Sequence, residues 1–419
     1  MGQVLCKTCD FRSSPDQLLI IVRWEDTQEL KNIPSVAFHG NYSDNNFGDL
    51  LLCKIFESWV RSAFSCQIIY PMVTEIERTR FRTHFSDSIC GLRPFKAWDA
   101  LVYCGGGLFG DSRSGSRFLP GNFDRKFIAQ NVLPAELSIW KGKPYAIVGM
   151  EVGPLSNIFV RRETKRIFEH ARAISVRNVE SQDYIQEQLG IKQEIICAPD
   201  PAVTVSKEDI PQRAEGKIDG LLQQHTNKIL LGIHHPRDFL HDFPAAQSLR
   251  EGLISVLKSS DDVIPVLFTD VGDDRHSVHC EKLAQIIKAI CGIDSVSIPF
   301  PGIWETVALI SRLSAVVTTK LHVGVVAYSM GVYCESFANH PKTKRFYALT
   351  GRHDQCILFR ETTKESAIEK IMKAIDSGRR KPLLRDANWE RVRREAQAHK
   401  GVVSSFLKSF LKSFLQRSN

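Results

Sequence analysis

The chain has 419 residues, of which 43% are apolar and 24% charged, and its formal net charge is +8. This composition is typical of a water-soluble globular protein with two or three domains, which excludes a disordered chain and a single small domain. No apolar run approaches the roughly 20 residues that a membrane-spanning helix needs.

The excess positive charge lies near the end of the sequence. Residues 379–417 contain eleven Lys or Arg and three Asp or Glu, and the rest of the chain carries 44 residues of each sign. A balanced body argues against nucleic-acid binding and indicates a local electrostatic role for this last segment.

The eleven cysteines are an odd number and are scattered through predicted strands and helices. In a chain of this length, they indicate free thiols in a reducing compartment rather than a disulfide framework. The first residues also lack the basic start and apolar segment of a secretory signal. We therefore expect a cytoplasmic protein.

Alternating strand and helix patterns predict an α/β fold with two doubly wound, Rossmann-like domains. We divide the chain into a lead-in segment (1–33), a first domain (34–205), an interdomain connection (206–227), a second domain (228–378) and a basic amphipathic helical tail (379–419). The predicted strands are 35–38, 68–70, 99–104, 144–148, 173–176 and 195–197 in the first domain, and 229–233, 263–268, 296–298, 315–317 and 332–337 in the second.

Polar and glycine-rich segments follow two strands of the first domain. Asn46 and Asp49 lie before the predicted helix 50–64, and Asp49 is either a ligand contact or the N-cap of that helix. Three glycines at 105–107 follow the strand 99–104, with Asp111 four residues beyond them. Such glycines let a substrate approach the backbone and present N–H groups to an anion. Neither a dinucleotide fingerprint nor a P-loop lysine is present, so no nucleotide cofactor is indicated.

Arg177 stands at the carboxyl end of the strand 173–176. This position suits two-pronged contact with a carboxylate or phosphate. The competing interpretation is an ion pair with Glu180 or Asp183.

The strand 315–317 runs into a turn that carries Lys320 and His322 at the start of a helix. A cation and a titratable imidazole at a helix N-terminus suit a phosphate-bearing substrate that also needs a proton moved. The competing interpretation is a solvated Lys320 and a His322 that only caps or packs. Lys342, in a basic segment that we predict to be a loop (338–346), either completes an anion pocket or belongs to a solvated charge cluster.

His234 and His235 follow the strand 229–233. No further metal ligand stands at a useful spacing from them, so we predict no metal site. We interpret both as loop residues near the crevice between the domains.

The tail contains a Phe-Leu-Lys-Ser repeat at 405–415. In a helix, the Phe and Leu side chains occupy one half of the surface and the Lys and Ser side chains the other. We expect residues 389–417 to lie peripherally on a membrane surface, attracted by anionic lipid. The alternative is a helix docked on the protein's own surface.

Several short motifs together, in their order and spacing, resemble the polysaccharide pyruvyl transferases over roughly residues 36–351. The matching pieces are Asn46-Phe47-Gly48-Asp49, Gly105-Gly106-Gly107 with Asp111, Gly153-Pro154, Ser175-Val176-Arg177 with Ser181, Pro199-Asp200-Pro201, Lys320-Leu321-His322 and Pro341-Lys342. The resemblance implies a GT-B-like pair of domains that face a central cleft. It also implies transfer of pyruvate from phosphoenolpyruvate onto two hydroxyls of a sugar, which forms a cyclic ketal and releases phosphate.

The resemblance places Asp111, Arg177, Lys320 and His322 around phosphoenolpyruvate. His322 would act as the acid or protonate the departing phosphate, and Asp111 would orient or deprotonate a sugar hydroxyl. Arg177 completes the predicted catalytic set, and the predicted substrate-binding residues are Asn46, Asp49, Gly106, Gly107, Lys320 and Lys342. We expect no cofactor besides the donor. Lys320 stands where the family usually has Arg, which keeps the charge but loses the planar donor, and Asn178 stands where an acidic residue is common.

Two other functions are compatible with these features. A GT-B glycosyltransferase that uses a nucleotide sugar would share the fold, because a fold does not fix a function. A non-catalytic, glycan-binding member of the family is the other alternative, suggested by Lys320. The expected acceptor is a carbohydrate of a polysaccharide or of its lipid-linked precursor.

Overall fold

Two parallel β-sheets organise the protein, as seen in a computed structural model that describes residues 33–41, 46–70, 89–90, 98–110, 121–272, 274–380 and 385–418. The strands are β1 Ser35–His39, β2 Gln67–Tyr70, β3 Ile89–Cys90, β4 Ala100–Phe109, β5 Tyr145–Val152, β6 Ala173–Val176, β7 Ile196–Cys197, β8 Ile229–His234, β9 Val263–Phe268, β10 Val296–Ile298, β11 Ala315–Thr318, β12 Tyr333–Ala338 and β13 Cys356–Leu358.

The strands of the first sheet lie in the order β3-β2-β1-β4-β5-β6-β7, and those of the second in the order β10-β9-β8-β11-β12-β13. In both sheets, the direction of winding reverses between two central strands, β1 and β4 in the first and β8 and β11 in the second. Ligands of doubly wound folds bind outside the carboxyl ends of the strands at such a switch point. The predicted pair of Rossmann-like domains is confirmed.

The central strands are nearly continuous apolar runs. β8, β9 and β11 are rich in Val, Ile and Leu and are almost entirely buried, because helices cover both faces of the sheet. The helices are α1 Phe47–Arg61, α2 Asn122–Phe127, α3 Leu133–Trp140, α4 Ile158–His170, α5 Val179–Asp183, α6 Gln212–Leu222, α7 Arg237–Leu240, α8 Pro244–Leu257, α9 Asp274–Cys291, α10 Ile303–Arg312, α11 Leu321–Met330, α12 Pro341–Leu349, α13 Lys364–Arg380, α14 Ala387–Ala396 and α15 Ala398–Ser418, with π-helical turns at Ile128–Val132 and Tyr184–Gln188 and 3-10 turns at Pro201–Thr204, Lys207–Asp209, Gln223–His225, His353–Gln355 and Phe359–Glu361.

Three segments differ from the sequence-based expectation. The glycines 105–107 lie inside β4 rather than in a turn after it, at an irregularity in the pairing of β4 with β5 between Gly106 and Phe109. The basic segment 338–346, predicted to be a loop, contains the start of α12, where Pro341 occupies the first turn. The connection 206–227 is largely helical, since α6 lies within it and buries Ala214, Ile218 and Leu222.

The tail returns to the first domain. α15 packs against α1, β5 and β6. Its apolar face is buried as far as Phe410, and the buried residues are Val402, Val403, Phe406, Leu407 and Phe410. The docked alternative therefore describes this helix, because the face that we expected to contact a membrane is covered by the protein. Leu415, near the end of the helix, is 60% exposed. None of the helices in the described residues combines the length and the apolar character needed to cross a bilayer.

Candidate functional site

The N-terminus of α1 brings the two domains together. Asn46 caps this helix, since its side-chain oxygen accepts a hydrogen bond from the Gly48 N–H at 2.9 Å. The N–H of the next residue, Phe47, donates to the Asp270 carbonyl of the second domain at 2.8 Å. A Cβ on Gly48 would overlap the His322 ring. Glycine is therefore required here, because the first domain approaches the predicted acid so closely.

Asp49 lies in the first turn of α1, and the alternative that it is the N-cap is wrong, because Asn46 has that role. A Cβ on Gly106 would lie 3.3 Å from the Asp49 Oδ1. Gly105 and Gly106 have φ values of +72° and +92°, a region that favours glycine. A Cβ on Gly107 would lie 3.9 Å from the Arg177 Nη2 and 4.0 Å from the Lys342 Nζ. The glycine segment thus lies directly beside the predicted charged residues.

Arg177 is buried and paired with two carboxylates, neither of them predicted. Its Nη1 donates to the Asp200 Oδ2 at 2.7 Å, and its Nη2 donates to the Glu151 Oε2. Burial alone would raise the pKa of both carboxyls, but the guanidinium lowers each below its usual value. The competing interpretation, an ion pair with Glu180 or Asp183, is wrong, and Glu180 instead lies 3.7 Å from the Arg345 Nε. Both terminal nitrogens of Arg177 are engaged, so this residue holds Glu151 and Asp200 in position.

His322 faces this buried group from the second domain. Its Nε2 lies 3.8 Å from the Asp200 Oδ2, and no hydrogen-bond partner for this nitrogen is found among the described residues. Burial lowers the pKa of His322 to about 4, although the Asp200 charge opposes the shift. The imidazole is therefore neutral at pH 7 in the ligand-free protein.

Lys342, in the first turn of α12, points its ammonium toward the same group. Burial and the Arg177 charge lower its pKa, and the carboxylates of Glu151 and Asp49 oppose that shift. Lys320 occupies the N-cap position of α11 and is only partly buried. Burial and the Lys320 charge both lower the pKa values of His234 and His340. Because Lys320 is partly exposed, we interpret it as a residue at the rim of the site.

A cavity of about 480 Å³ adjoins the group and is lined by Glu151, Arg177, Asp200, Lys342 and Arg345, among others. Gly106, Gly107 and His322 do not line it. The cavity therefore lies beside the buried ion pairs and does not include the position of His322 or of the β4 glycines.

The structure brings six predicted residues together, namely Asp49, Gly106, Gly107, Arg177, His322 and Lys342. Asp111 lies outside the described residues. The sequence reasoning did not select Gly48, Glu151 or Asp200 as site residues. An acidic residue at the end of the buried strand β5 is the signal that would have found Glu151. Asn178, where an acidic residue is common, caps α5 by accepting from the Ser181 N–H at 2.9 Å.

The fold is shared with solved sugar-nucleotide enzymes. The chain is similar to UDP-GlcNAc 2-epimerase from Neisseria meningitidis, with a TM-score of 0.58, 10% identity, and coverage of 91% of this chain and 100% of that one. It is also similar to a putative UDP-N-acetylglucosamine 2-epimerase from Listeria monocytogenes, with a TM-score of 0.52, 12% identity, and coverage of 93% and 98%. At these identities the likeness defines the class of fold, a GT-B-like pair of Rossmann-type domains.

The sequence itself identifies the family. Residues 46–341 match the polysaccharide pyruvyl transferase family, and the chain belongs to it. A comparison with curated proteins gives no match. The matched region begins at Asn46 and contains every predicted site residue except Lys342, which lies one residue beyond its end.

Proposed function

We propose that the protein transfers pyruvate from phosphoenolpyruvate onto two hydroxyls of a sugar in a polysaccharide or its lipid-linked precursor. The family match supports pyruvyl transfer. The observation that carries the donor assignment is the buried Nε2 of His322, which has no hydrogen-bond partner among the described residues and lies in the same group as Lys342 and the β4 glycines. Phosphoenolpyruvate would supply an anionic oxygen that pairs with the Lys342 ammonium and forms a hydrogen bond with the His322 Nε2.

The anion would be bound chiefly by the second domain. Lys342 supplies a partly desolvated ammonium beside Gly107, and Lys320 adds a second cation at the rim. A desolvated charge interacts more strongly with a substrate phosphate than one in bulk water. We therefore revise the role of Arg177 from a direct anion anchor to a positioning residue that fixes Glu151 and Asp200.

The reaction balances with one proton moved at each end of the donor. One sugar hydroxyl attacks C2 of phosphoenolpyruvate and gives up its proton, while the C3 methylene accepts a proton and becomes a methyl group. The second hydroxyl then replaces the phosphate at C2, and its proton leaves with inorganic phosphate. Asp111 remains our proposed base for a hydroxyl, and His322 remains the proposed acid.

A neutral imidazole becomes an effective acid only when its pKa rises. Binding of the phosphate beside His322 would favour the imidazolium, because a nearby negative charge stabilises the protonated form. Binding of the donor would thereby raise the pKa of His322, the residue that we propose protonates the donor. In the free protein, the low pKa keeps His322 neutral and avoids repulsion with Lys342 and Arg177.

The proposal is tested by incubating the protein with phosphoenolpyruvate and a panel of glycosides. Expected results are phosphate release that depends on the acceptor and a product heavier by one pyruvic acid less one water. His322→Asn should lower turnover by about 10²–10⁴-fold, whereas the exposed His353→Asn should not. Lys342→Ala should weaken donor binding, and Lys344→Ala, an exposed residue on the same helix, is its matched control.

Two outcomes would replace this proposal. Consumption of a nucleotide sugar with release of nucleotide, but no reaction of phosphoenolpyruvate, would indicate a glycosyltransferase. Binding of a glycan with no donor consumed would indicate a non-catalytic glycan-binding protein.

A further inference from the structure

A second cluster of functional groups lies at the carboxyl edge of the second sheet, apart from the group around Arg177. His234 ends β8, His235 follows it, and Asp270 lies just after β9. The three residues are 0%, 4% and 3% exposed. Each offers one ligand atom, and these atoms all lie within 4.8 Å of one another. The adjacent strand thus supplies the further ligand that the sequence spacing did not reveal.

The two histidine–carboxylate distances match those between ligands of a small metal ion. The Asp270 Oδ1 lies 3.5 Å from the His234 Nε2 and 3.2 Å from the His235 Nδ1. Zinc–ligand bonds of about 2.0–2.1 Å at tetrahedral angles place neighbouring ligand atoms about 3.3 Å apart. Among the described residues, none of these three buried atoms makes a hydrogen bond of normal geometry. Three buried polar atoms that face one another are costly unless a ring proton or a cation lies between them.

The surroundings of His234 leave the correct nitrogen available. Its Nδ1 lies 2.8 Å from the Thr318 Oγ1, at the end of β11. If the Nδ1–H donates to this hydroxyl, the lone pair is on Nε2, the nitrogen that faces Asp270. Metal-binding histidines commonly donate their other N–H in this way, which fixes the ring and its tautomer.

His235 uses its ring nitrogens in the opposite order to His234. Its Nε2 lies 3.7 Å from the Asp238 Oδ1, and its Nδ1 faces Asp270. With a metal ion on Nδ1, the proton of His235 would be on Nε2, where the Asp238 carboxylate can accept it as an outer-shell partner. His235 also has a φ of +60°, unlike any other non-glycine residue described. This unusual conformation turns two consecutive imidazoles toward one carboxylate.

We propose that His234, His235 and Asp270 bind one divalent transition-metal ion, with zinc as the reference metal. Two imidazole nitrogens and one carboxylate oxygen are a donor set that such ions prefer. The ion would link the ends of β8 and β9. It would also stabilise the contact between the domains, because the Asp270 carbonyl accepts a hydrogen bond from the Phe47 N–H. In addition, it would stabilise the turn that carries Lys320, because the Lys320 N–H donates to the Thr318 hydroxyl.

The test uses the full chain, stripped with a chelator and dialysed, and titrated with Zn²⁺ by calorimetry and with Co²⁺ by visible absorption. We expect one high-affinity ion per chain, Co²⁺ ligand-field bands, and a zinc-dependent rise in the melting temperature. Thr318→Val removes only an outer-shell partner and should lower the metal affinity by roughly 10–100-fold. Asp270→Asn and His235→Asn each remove a ligand and should lower it by more. The exposed His353→Gln should bind as the wild type does.

Asparagine is chosen at position 235 because it tolerates a positive φ better than most residues, so this variant tests the ligand without adding backbone strain. The proposal is overturned if the wild type binds neither ion more tightly than Asp270→Asn does, or if Asp270→Asn and His235→Asn both keep full affinity and the Co²⁺ bands. None of these measurements depends on phosphoenolpyruvate, so the result stands apart from the proposed enzymatic function.

Discussion

The two edges of the cleft differ in how their charges are satisfied. On the first domain, Arg177 is saturated by Glu151 and Asp200, which lie on neighbouring strand ends. On the second domain, His322 and Lys342 are held with lowered pKa values and the His322 Nε2 has no partner among the described residues. The first edge is therefore preorganised by its own ion pairs, and the second retains groups that a bound anion would satisfy. We propose that the first domain supplies a rigid edge and that the second recognises the anion.

The tail helix α15 contacts the backbone that carries the ion pairs of the first domain. The Gly149 N–H donates to the Ser175 hydroxyl at 3.0 Å, and this hydroxyl lies 2.8 Å from the Nδ1 of the buried His399 in α15. The His399 Nε2 lies 2.9 Å from the Pro199 carbonyl. Because Pro199 directly precedes Asp200, α15 fixes the backbone that carries one of the two partners of Arg177.

The largest expected effect comes from breaking the ion pairs of the first edge. Arg177→Met should lower the free energy of unfolding by about 3–5 kcal/mol, since it removes the guanidinium partner of the buried Asp200 and leaves Glu151 with Arg345 alone. Urea denaturation measures this loss, and the exposed Arg162→Met is the matched control. Unchanged stability combined with weaker binding of phosphoenolpyruvate would instead make Arg177 a direct anchor and erase the difference between the edges.

The close approach of the domains is tested next. Gly48→Ala should lower the free energy of unfolding by about 1–3 kcal/mol, because the added methyl group overlaps the His322 ring. Gly216→Ala in α6 is the control, since its Cβ would meet no atom within 4 Å. At that position, alanine should stabilise the helix by up to about 1 kcal/mol. Equal effects of the two substitutions would show that the domains do not meet at Gly48.

Acid should destabilise the protein through its buried histidines. Burial lowers the pKa values of His39, His322 and His399 to about 4, so between pH 6.5 and 4.5 the unfolded state binds protons that the folded state does not. Each contributes about 1.4 kcal/mol of lost stability per pH unit as the pH falls through this window. His322→Asn should reduce the slope of unfolding free energy against pH by the share of one histidine, about 1.4 kcal/mol per pH unit. Urea denaturation at a series of pH values measures this slope.

Bound phosphoenolpyruvate should reduce the same slope in the wild type, because it raises the pKa of His322 in the folded state. A slope that neither the substitution nor the donor changes would show that His322 does not face the anion. His353→Asn should leave the slope as it is.

The smallest expected effect concerns the rim of the second edge. Lys320→Arg restores the residue usual in the family and adds a planar, two-pronged donor. We expect donor binding to tighten by about 1 kcal/mol, the size of one additional hydrogen bond. Calorimetric titration measures it, with Lys344→Arg as the control. Weaker binding would mean that the cleft of this chain has adapted to the lysine.

The sequence allowed most strands to be predicted, and with them several residues that the structure brings together, because buried parallel strands are continuous apolar runs and polar residues follow them. It did not allow the partners of Arg177 to be predicted. Local spacing offered only Glu180 and Asp183 as candidate partners, whereas the true partners, Glu151 and Asp200, come from the ends of the strands on either side of β6. Which strands are neighbours is a property of the sheet order, and apolar periodicity does not encode it.

Other differences have similar causes. Asp270 lies 35 residues after His235, so no ligand spacing could reveal it. The start of α12 was missed although Pro341 is a recognised signal for a helix N-terminus. The tail repeat defined its apolar face correctly, but an amphipathic pattern does not specify whether lipid or protein covers that face.

The return of α15 to the first domain has a consequence for the order in which the protein matures. Phe406 and Leu407 belong to the same buried core as α1, and His399 supports the backbone beside Asp200. During synthesis, domains generally fold from the N-terminus onward. Here the backbone beside Asp200 lacks the support of His399 until α15 has been synthesised, so the first domain's edge of the cleft is completed late.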